Sequence, residues 1–496
     1  MFFVILIGLI LRLSFIDKPE GLWNDEYVSW MVANTPFFNG FFKTILSQCH
    51  MPVYYLYLKP FTNYSDIVLR LSSVFPGVFS IVSMYFVGKL YSKKIGLYSA
   101  IITSVLSFLI YYSQEVRLYS FLFFISTISL FYTIKLIHEK NRKNICGYII
   151  SNLVLIFTHT LGIIFVFFNA LYVLYKLKKD KIKISKEFFF SAKFIISVFF
   201  LICLMIIFSS LANNIISQHH SAQWWGHFSY TNILFLFTDY FSPVLTNHIN
   251  APPIFFYDKS LAYWMIIPTI IGIIGIFFGI KNNKGIAVSA FITLIVLFIL
   301  AKFGFIVFVT KYSIEILPIL IIIISCGFSR LKINGILLLI LFSAIHLAYL
   351  FTPNYVTKLP RTEGHKIVSS IIKERKPQKI IFTYYDENRF RRYLNLEKIP
   401  TFYISKMNRH EYVTNPERIL DNIDKGETFS IVFLDSVSFL PDDNSLYFEE
   451  KIPEMFVTFS KIKNKLTKTI SSDKDYSILN YDTIGSWSVV TAIKTR

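Results

Sequence analysis

Apolar positions in this chain fall in long unbroken blocks, and runs of about 17–25 such residues are long enough to cross a bilayer as helices. Eleven blocks are read as spans: 2–16, 67–88, 95–112, 118–137, 145–158, 160–175, 188–211, 262–280, 285–301, 312–329 and 333–352. The first and fifth are short. Arg12, near the end of the first, is expected to snorkel to the interface. Met1 to Ile16 has neither a basic start nor a small-residue cleavage site, so it reads as a retained span and not a removed signal peptide.

The polar stretches between blocks set an orientation. Lys89, Lys93 and Lys94, then Lys140, Arg142 and Lys143, then Lys176 to Lys186, then Lys281 and Lys284, then Arg330 and Lys332 all fall on one side if there are eleven spans. Basic loops favour the cytoplasm, which puts the N-terminus there too. The outer face then carries 17–66, the turn from Gln114 to Arg117, the turn at His159, 212–261, the link from Lys302 to Lys311, and everything after Thr352. An even number of spans would move only the tail.

Beyond Pro353 the pattern changes. Lys379 to Tyr385, Phe429 to Leu434 and Trp487 to Ile493 alternate or cluster as strands do. Gly364 to Lys376 and Glu387 to Asn395 look helical. The expectation is an α-helical polytopic membrane protein. Its transmembrane domain is 1–352, with outer loops 17–66 and 212–261. A small α/β domain, 353–496, follows outside the cytoplasm. No phosphate-cradling glycine pattern and no internal repeat is visible.

Composition supports the membrane class. The 496 residues are 54% hydrophobic and only 16% charged, with a mean hydropathy of +0.52; soluble proteins carry about 25% charged residues. The net charge of +19 is accounted for by cytoplasmic loops, so nucleic acid is not expected as a partner. Cys49, Cys146, Cys203 and Cys326 show no metal spacing, and no disulfide framework is expected.

The polar groups that could carry chemistry collect on the outer face. Asp25 and Glu26 could take a hydroxyl proton or hold a divalent cation, or could be loop acids complementing a helix start. His50 could bond a phosphate or sugar oxygen, and Pro52 would open an interfacial helix with Tyr54, Tyr55 and Tyr57 as an aromatic belt. Arg70 begins the second span, where a snorkelling anchor is the plain reading. Glu115 and Arg117 lie in the nearly loop-free turn between the third and fourth spans, either as an internal ion pair or with the arginine turned to a lipid phosphate. Lys311, followed by Glu315 and Pro318, brings a second cation to the same depth. His219, His220, His227 and His248 match no zinc spacing.

Together these residues resemble the GT-C superfamily of polytopic glycosyltransferases. The likeness is to the bacterial branch that includes protein O-mannosyltransferases and lipid A aminoarabinose transferases. Trp23-Asn24-Asp25-Glu26-Tyr27 is similar to that branch's acidic first-loop motif. His50-Met51-Pro52-Val53-Tyr54-Tyr55 is similar to its His-Pro-Pro-x-Tyr-Tyr segment, with Met51 replacing proline. Arg70-Leu71-Ser72-Ser73 resembles Arg-Leu-Pro-Ser, and Tyr112 to Tyr119 resembles Tyr-Ser-Gln-Glu-x-Arg-x-Tyr. Lys311-Tyr312 through Pro318 resembles an Arg/Lys-Tyr…Pro segment. The likeness is dense over 1–135, diffuse to 352 and absent from the tail.

The resemblance implies a sugar donor carried on a polyprenyl phosphate and transfer to a glycan, lipid or protein hydroxyl on the outer membrane face. It makes Asp25 the base, with Glu26 beside it. Arg117 and Lys311 bind the donor phosphate, supported by Arg70 and His50. Gln114, Tyr54 and Tyr55 are acceptor or structural support. Glu115 keeps three readings: a second acid for the acceptor, a metal ligand, or the partner of Arg117. No cofactor is assigned, although a divalent cation is compatible with the acids. The rival class is a transporter or flippase for a lipid-linked glycan, which would place charges near mid-membrane on broken helices, often within inverted repeats. A membrane-anchored binding module whose tail acts is a third.

Overall fold

The computed structural model describes residues 1–18, 21–47, 51–179, 231–243, 259–303, 309–352, 355, 365–383, 390–395, 398–403, 415–434, 454–484 and 487–495. They form two compact units. One comprises Met1–Ile16 and Val28–Val356, the other Asp17–Tyr27 and Thr357–Arg496. The expected span 188–211, His50 and most of the expected loop 212–261 lie outside the described residues.

The first unit is helical. Every other expected span coincides with helix: Phe2–Leu13, Asp66–Lys89, Lys93–Val105 with Ser107–Ser113, Tyr119–His138, Arg142–Ile156, Gly162–Lys179, Lys259–Gly279, Lys284–Lys302, Leu317–Arg330 and Ile333–Leu350. By length and composition, five helices in the described residues could cross a membrane, or six if the bent pair Lys93–Val105 and Ser107–Ser113 is one span. Local signals set several starts. Ser65, Ser92 and Asn141 accept from the backbone N–H three residues on, at 3.5, 3.1 and 2.9 Å. Proline opens Pro52–Leu58 and Leu317–Arg330, where its missing N–H leaves no bond unmade.

Small and hydroxylic residues pack the helices together. A Cβ at Gly279 would strike the Ile323 carbonyl, and one at Gly327 the Gly275 carbonyl, so Lys259–Gly279 and Leu317–Arg330 meet backbone to backbone. Ser99 bonds Ser325 at 3.0 Å, Ser129 bonds Asn152 at 2.9 Å, and Asn169 bonds Thr133 at 2.9 Å across helix pairs.

Three expectations are corrected here. The third span is not one helix; it bends by 59° at Leu106, whose ψ of 110° is extended. Arg12 does not snorkel but is fully buried. Tyr54 and Tyr55 are buried in the unit's interior, at 1% and 0% exposure, and form no belt. Within the stretch read as outer loop 212–261, the described residues include a helix, Thr231–Phe241.

The second unit holds a five-stranded mixed sheet. Its strands are β1 (Lys379–Phe382), β2 (Thr401–Tyr403), β3 (Thr428–Leu434), β4 (Tyr476–Ile484) and β5 (Trp487–Lys494), in the order β2-β1-β3-β5-β4. β1 runs parallel to β2 and β3, while β5 is antiparallel to β3 and β4. Successive side chains point to opposite faces. Ile381, Phe429 and Ile431 pack with Ile462, Leu466 and Ile470 of helix Glu454–Ser472. Ile380, Phe382 and Val432 pack with Val368 and Ile372 of helix His365–Arg375. Three strands and the helix near 364–376 lie where the sequence indicates. Of 387–395, the described part is a turn in which Tyr393 and Leu394 bond back to Phe390. β2, β4 and Glu454–Ser472 are additions.

Candidate active site

Two cations share one aromatic ring in the helical unit. The Arg117 guanidinium lies 5.7 Å from the centre of the Tyr119 ring, and Lys311 Nζ lies 5.4 Å from the same centre. Both residues are only 7% exposed. Arg117 also donates to Ser29 Oγ at 3.2 Å. The ring is itself fixed by Tyr112, 4.9 Å away, and Tyr312, 6.3 Å away. A cation above an aromatic face is held electrostatically, most strongly where water is excluded.

The turn that carries Arg117 is tightly built. Its N–H bonds the Glu115 carbonyl at 2.7 Å. Gln114 Nε2 donates to the carbonyls of Leu11, Arg12 and Ser14 at 3.2, 3.1 and 2.6 Å. These are carbonyls at the end of the first helix, which lack intrahelical partners. Gln114 Oε1 accepts from the Tyr355 hydroxyl at 3.1 Å. Gln114 thus ties this turn to the end of the first helix and to Tyr355. Glu115 is buried beside it, at 5% exposure.

Lys311 sits on the 3₁₀ turn Thr310–Ile316, which begins in the link the sequence reading put before the tenth span and runs into that span. Helix Thr231–Phe241 holds this turn at two points. Thr310 Oγ1 donates to Asp239 Oδ2 at 2.6 Å. The Tyr240 hydroxyl lies 2.6 Å from both the carbonyl and Oγ of Ser313. Asp239 and Tyr240 were missed in the sequence; the available signal was a lone acid inside an apolar run. His159, in the turn between Arg142–Ile156 and Gly162–Lys179, lies with its ring tilted against that of Tyr312, centres 5.9 Å apart. Burial, and then the Arg117 charge, hold its imidazole down at about 4, so it is neutral at pH 7.

The acids belong to the other unit. Asp25 and Glu26 occupy the first turn of helix Asn24–Asn34, where carboxylates complement the helix dipole. Glu26 Oε2 accepts from the Trp23 N–H at 3.2 Å, a carboxylate reaching back to the residue that precedes the helix. Glu26 is buried and Asp25 is partly exposed. Upstream, the Leu22 N–H donates to the Tyr393 hydroxyl at 2.8 Å. The two acids thus differ: Glu26 has a job in starting the helix.

The other expected residues are dispersed in role. Arg70 is buried and donates from Nη1 to the Ile16 carbonyl at 3.0 Å. Tyr54 and Tyr55 meet edge to face, with ring centres 5.3 Å apart. His50 is not among the described residues. Among the described residues no group of three or more His, Cys, Asp or Glu side chains could hold a metal ion.

Among solved structures, the chain is similar to ArnT from Cupriavidus metallidurans in the apo state, with a TM-score of 0.56 and 11% identity over 99% of this chain and 97% of that one. The fold is GT-C-like. The same ArnT bound to undecaprenyl phosphate matches with a TM-score of 0.56 and 10% identity, over 99% and 97% of the two chains. An Archaeoglobus fulgidus oligosaccharyltransferase matches with a TM-score of 0.46 and 9% identity, over 86% of this chain and 67% of that one, too weak a likeness to carry weight. No protein-family model matches the sequence, and no curated protein does. The GT-C-like fold agrees with the resemblance read from the first 135 residues, and it extends over the tail, where the sequence shows none.

Proposed function

We propose that this chain is a membrane glycosyltransferase. It moves a sugar from a polyprenyl-phosphate donor to a hydroxyl of a glycan, lipid or protein on the outer face, with its N-terminus in the cytoplasm and its C-terminal domain outside. The observation that carries this reading is the buried pair Arg117 and Lys311 on one tyrosine ring. A GT-C-like fold supports it, as does the presence of undecaprenyl phosphate in a solved structure of ArnT.

The chemistry needs two things. The bond from the anomeric carbon to the phosphate oxygen breaks, and its electrons stay on the phosphate. Fixed cations in a site shielded from water stabilise that charge. A bond from the acceptor oxygen to the same carbon forms, and the hydroxyl proton goes to a carboxylate. Asp25 takes that role, as the resemblance of its motif to the acidic first-loop motif implies, and Glu26 accepts from the Trp23 N–H at the helix start. Arg70 and His50 support the phosphate. Glu115 remains close in sequence to Arg117 and receives no step.

One observation speaks to the rival flippase reading: the broken span at Leu106. Transporters open such breaks toward substrate. Here the carbonyls at the break are occupied by Arg12, which favours a fixed element.

The test is mass spectrometry of lipid-linked and surface glycans from cells with the gene, without it, and with an Asp25→Asn copy. Loss of one sugar from a glycan, with build-up of its polyprenyl-phosphate donor, is expected in the last two. Unchanged glycans in all three overturn the reading.

A further inference from the structure

We propose that Arg12 is a positioning residue for the phosphate-binding cations, acting through the broken helix that leads to Arg117. The inference rests on the proposed reading of Arg117 as a donor-phosphate ligand.

The break itself defines what Arg12 does. In an unbroken helix the Ser107 N–H would bond the Thr103 carbonyl, and the next N–H would bond Ser104. At Leu106 the chain turns extended, and these bonds are lost. Arg12 replaces the missing donors. Its Nη2 bonds the Thr103 carbonyl at 3.0 Å and its Nη1 bonds the Ser104 carbonyl at 3.2 Å. His346 replaces the missing acceptor: its Nδ1 receives the Ser107 N–H at 3.2 Å, and its Nε2 faces the Phe241 carbonyl at 3.0 Å. Both halves of one vanished hydrogen bond therefore find new partners.

The same guanidinium also grips the far end of the short helix. Arg12 Nε donates to Ser113 Oγ at 3.2 Å, and Ser113 Oγ in turn bonds the Leu109 carbonyl at 2.6 Å. Nη1 adds a bond to Gly8 within its own helix at 3.0 Å. One rigid planar fork thus fastens the chain both before the break and at the last residue of Ser107–Ser113. Gln114 follows at once, bonding the first helix through three carbonyls. Arg117 lies three residues further on.

Space is reserved for this fork. A Cβ at Gly77 would collide with Ser113 Oγ and lie 2.9 Å from Arg12 Nε, and one at Gly8 would lie 3.4 Å from Nη1. A buried arginine in an apolar helix is expensive and marks function by default. Its hydrogen bonds go to three carbonyls and a hydroxyl, which is the pattern of a clamp on backbone.

The test uses the full-length protein in lipid nanodiscs and binding of undecaprenyl phosphate, with thermal stability read in parallel. Arg12→Lys keeps the charge but cannot make the fork, and Ser113→Ala removes only the Nε partner. Losing one hydrogen bond to a charged group costs roughly 10- to 100-fold in an equilibrium constant. The expected result is Kd for undecaprenyl phosphate raised roughly 10- to 100-fold in Arg12→Lys and several-fold in Ser113→Ala, with acceptor KM unchanged in both. Kd unchanged in folded Arg12→Lys, while Arg117→Ala weakens it, overturns the positioning role and leaves the phosphate reading intact. Kd unchanged in Arg117→Ala itself removes the reading on which the inference stands. A fall in melting temperature without a change in Kd also overturns the proposal, because a purely structural residue does just that.

Discussion

Replacing Lys311 by methionine tests the cation pair most directly. Methionine has similar length and keeps the apolar stem, so packing around Tyr119 changes little while the charge is lost. Lys311 is 7% exposed and 5.4 Å from the Tyr119 ring centre, so little water screens it. A hydrogen bond to a charged partner is worth about 1.5–3 kcal/mol. With about 1.4 kcal/mol per tenfold, removing one cation should lower kcat/KM for the donor by roughly 10- to 150-fold. Arg117→Ala should act alike. Tyr119→Leu removes the ring beneath both charges, worth about 0.5–2 kcal/mol at each, and should cost about as much as losing one cation. The assay is initial-rate transfer with polyprenyl-phosphate sugars of defined head group, varying donor and acceptor separately, on protein whose melting temperature matches the wild type. Acceptor KM should stay put. A well-folded Lys311→Met protein with donor KM and kcat within twofold of wild type would refute the assignment of Lys311 to the phosphate.

Further outcomes follow from individual contacts. Asp25→Asn should abolish transfer while the protein still accumulates in the membrane, measured by immunoblot and activity on the same fractions; full transfer by that variant removes Asp25 as base. Tyr240→Phe, which loses the hydroxyl 2.6 Å from Ser313, should destabilise by about 1 kcal/mol and raise donor KM through the Lys311 turn; unchanged stability and KM would show the turn needs no latch. His159 has a folded pKa of about 4, below an unfolded value of about 6.5. The unfolded chain therefore takes the proton first, and stability should fall as pH drops from about 6.5 toward 4, by roughly 1–3 kcal/mol. Melting curves of His159→Gln should lack that component. Gly77→Ala should destabilise by about 1–3 kcal/mol through overpacking against Ser113 and Arg12, seen as a lowered melting temperature.

The helices of the first unit were legible because an apolar run of span length has few alternatives in a membrane. What the runs could not show was the break at Leu106, since leucine is a good helix former and the cause lies in Arg12 and His346, remote in sequence. Arg12 itself was misjudged. Snorkelling and burial look alike until the facing helix is known. Asp239 went unnoticed because its helix is shorter than a span and sits inside a stretch read as loop. In the second unit, β3 and β5 were readable from apolar content, whereas β4, with Asn480 and Asp482 among exposed Ile478, Leu479 and Tyr481, has no such signature. For the candidate site, residue types and order along the chain were visible in advance. The shared tyrosine ring depends on tertiary geometry.

The clamp at Arg12 has a consequence for biogenesis. Its partners Thr103, Ser104 and Ser113 lie 91, 92 and 101 residues downstream. At about 5–20 residues per second, the ribosome needs roughly 5–20 s to supply them. Through that interval the first helix carries a guanidinium with no carbonyl to hold except that of Gly8 in its own helix. The nascent segment must then keep Arg12 near lipid headgroups, and it can sink to its final depth only when the broken helix arrives. Assembly of this bundle is therefore ordered in time, with helix Phe2–Leu13 settling only after Ser107–Ser113 has been made.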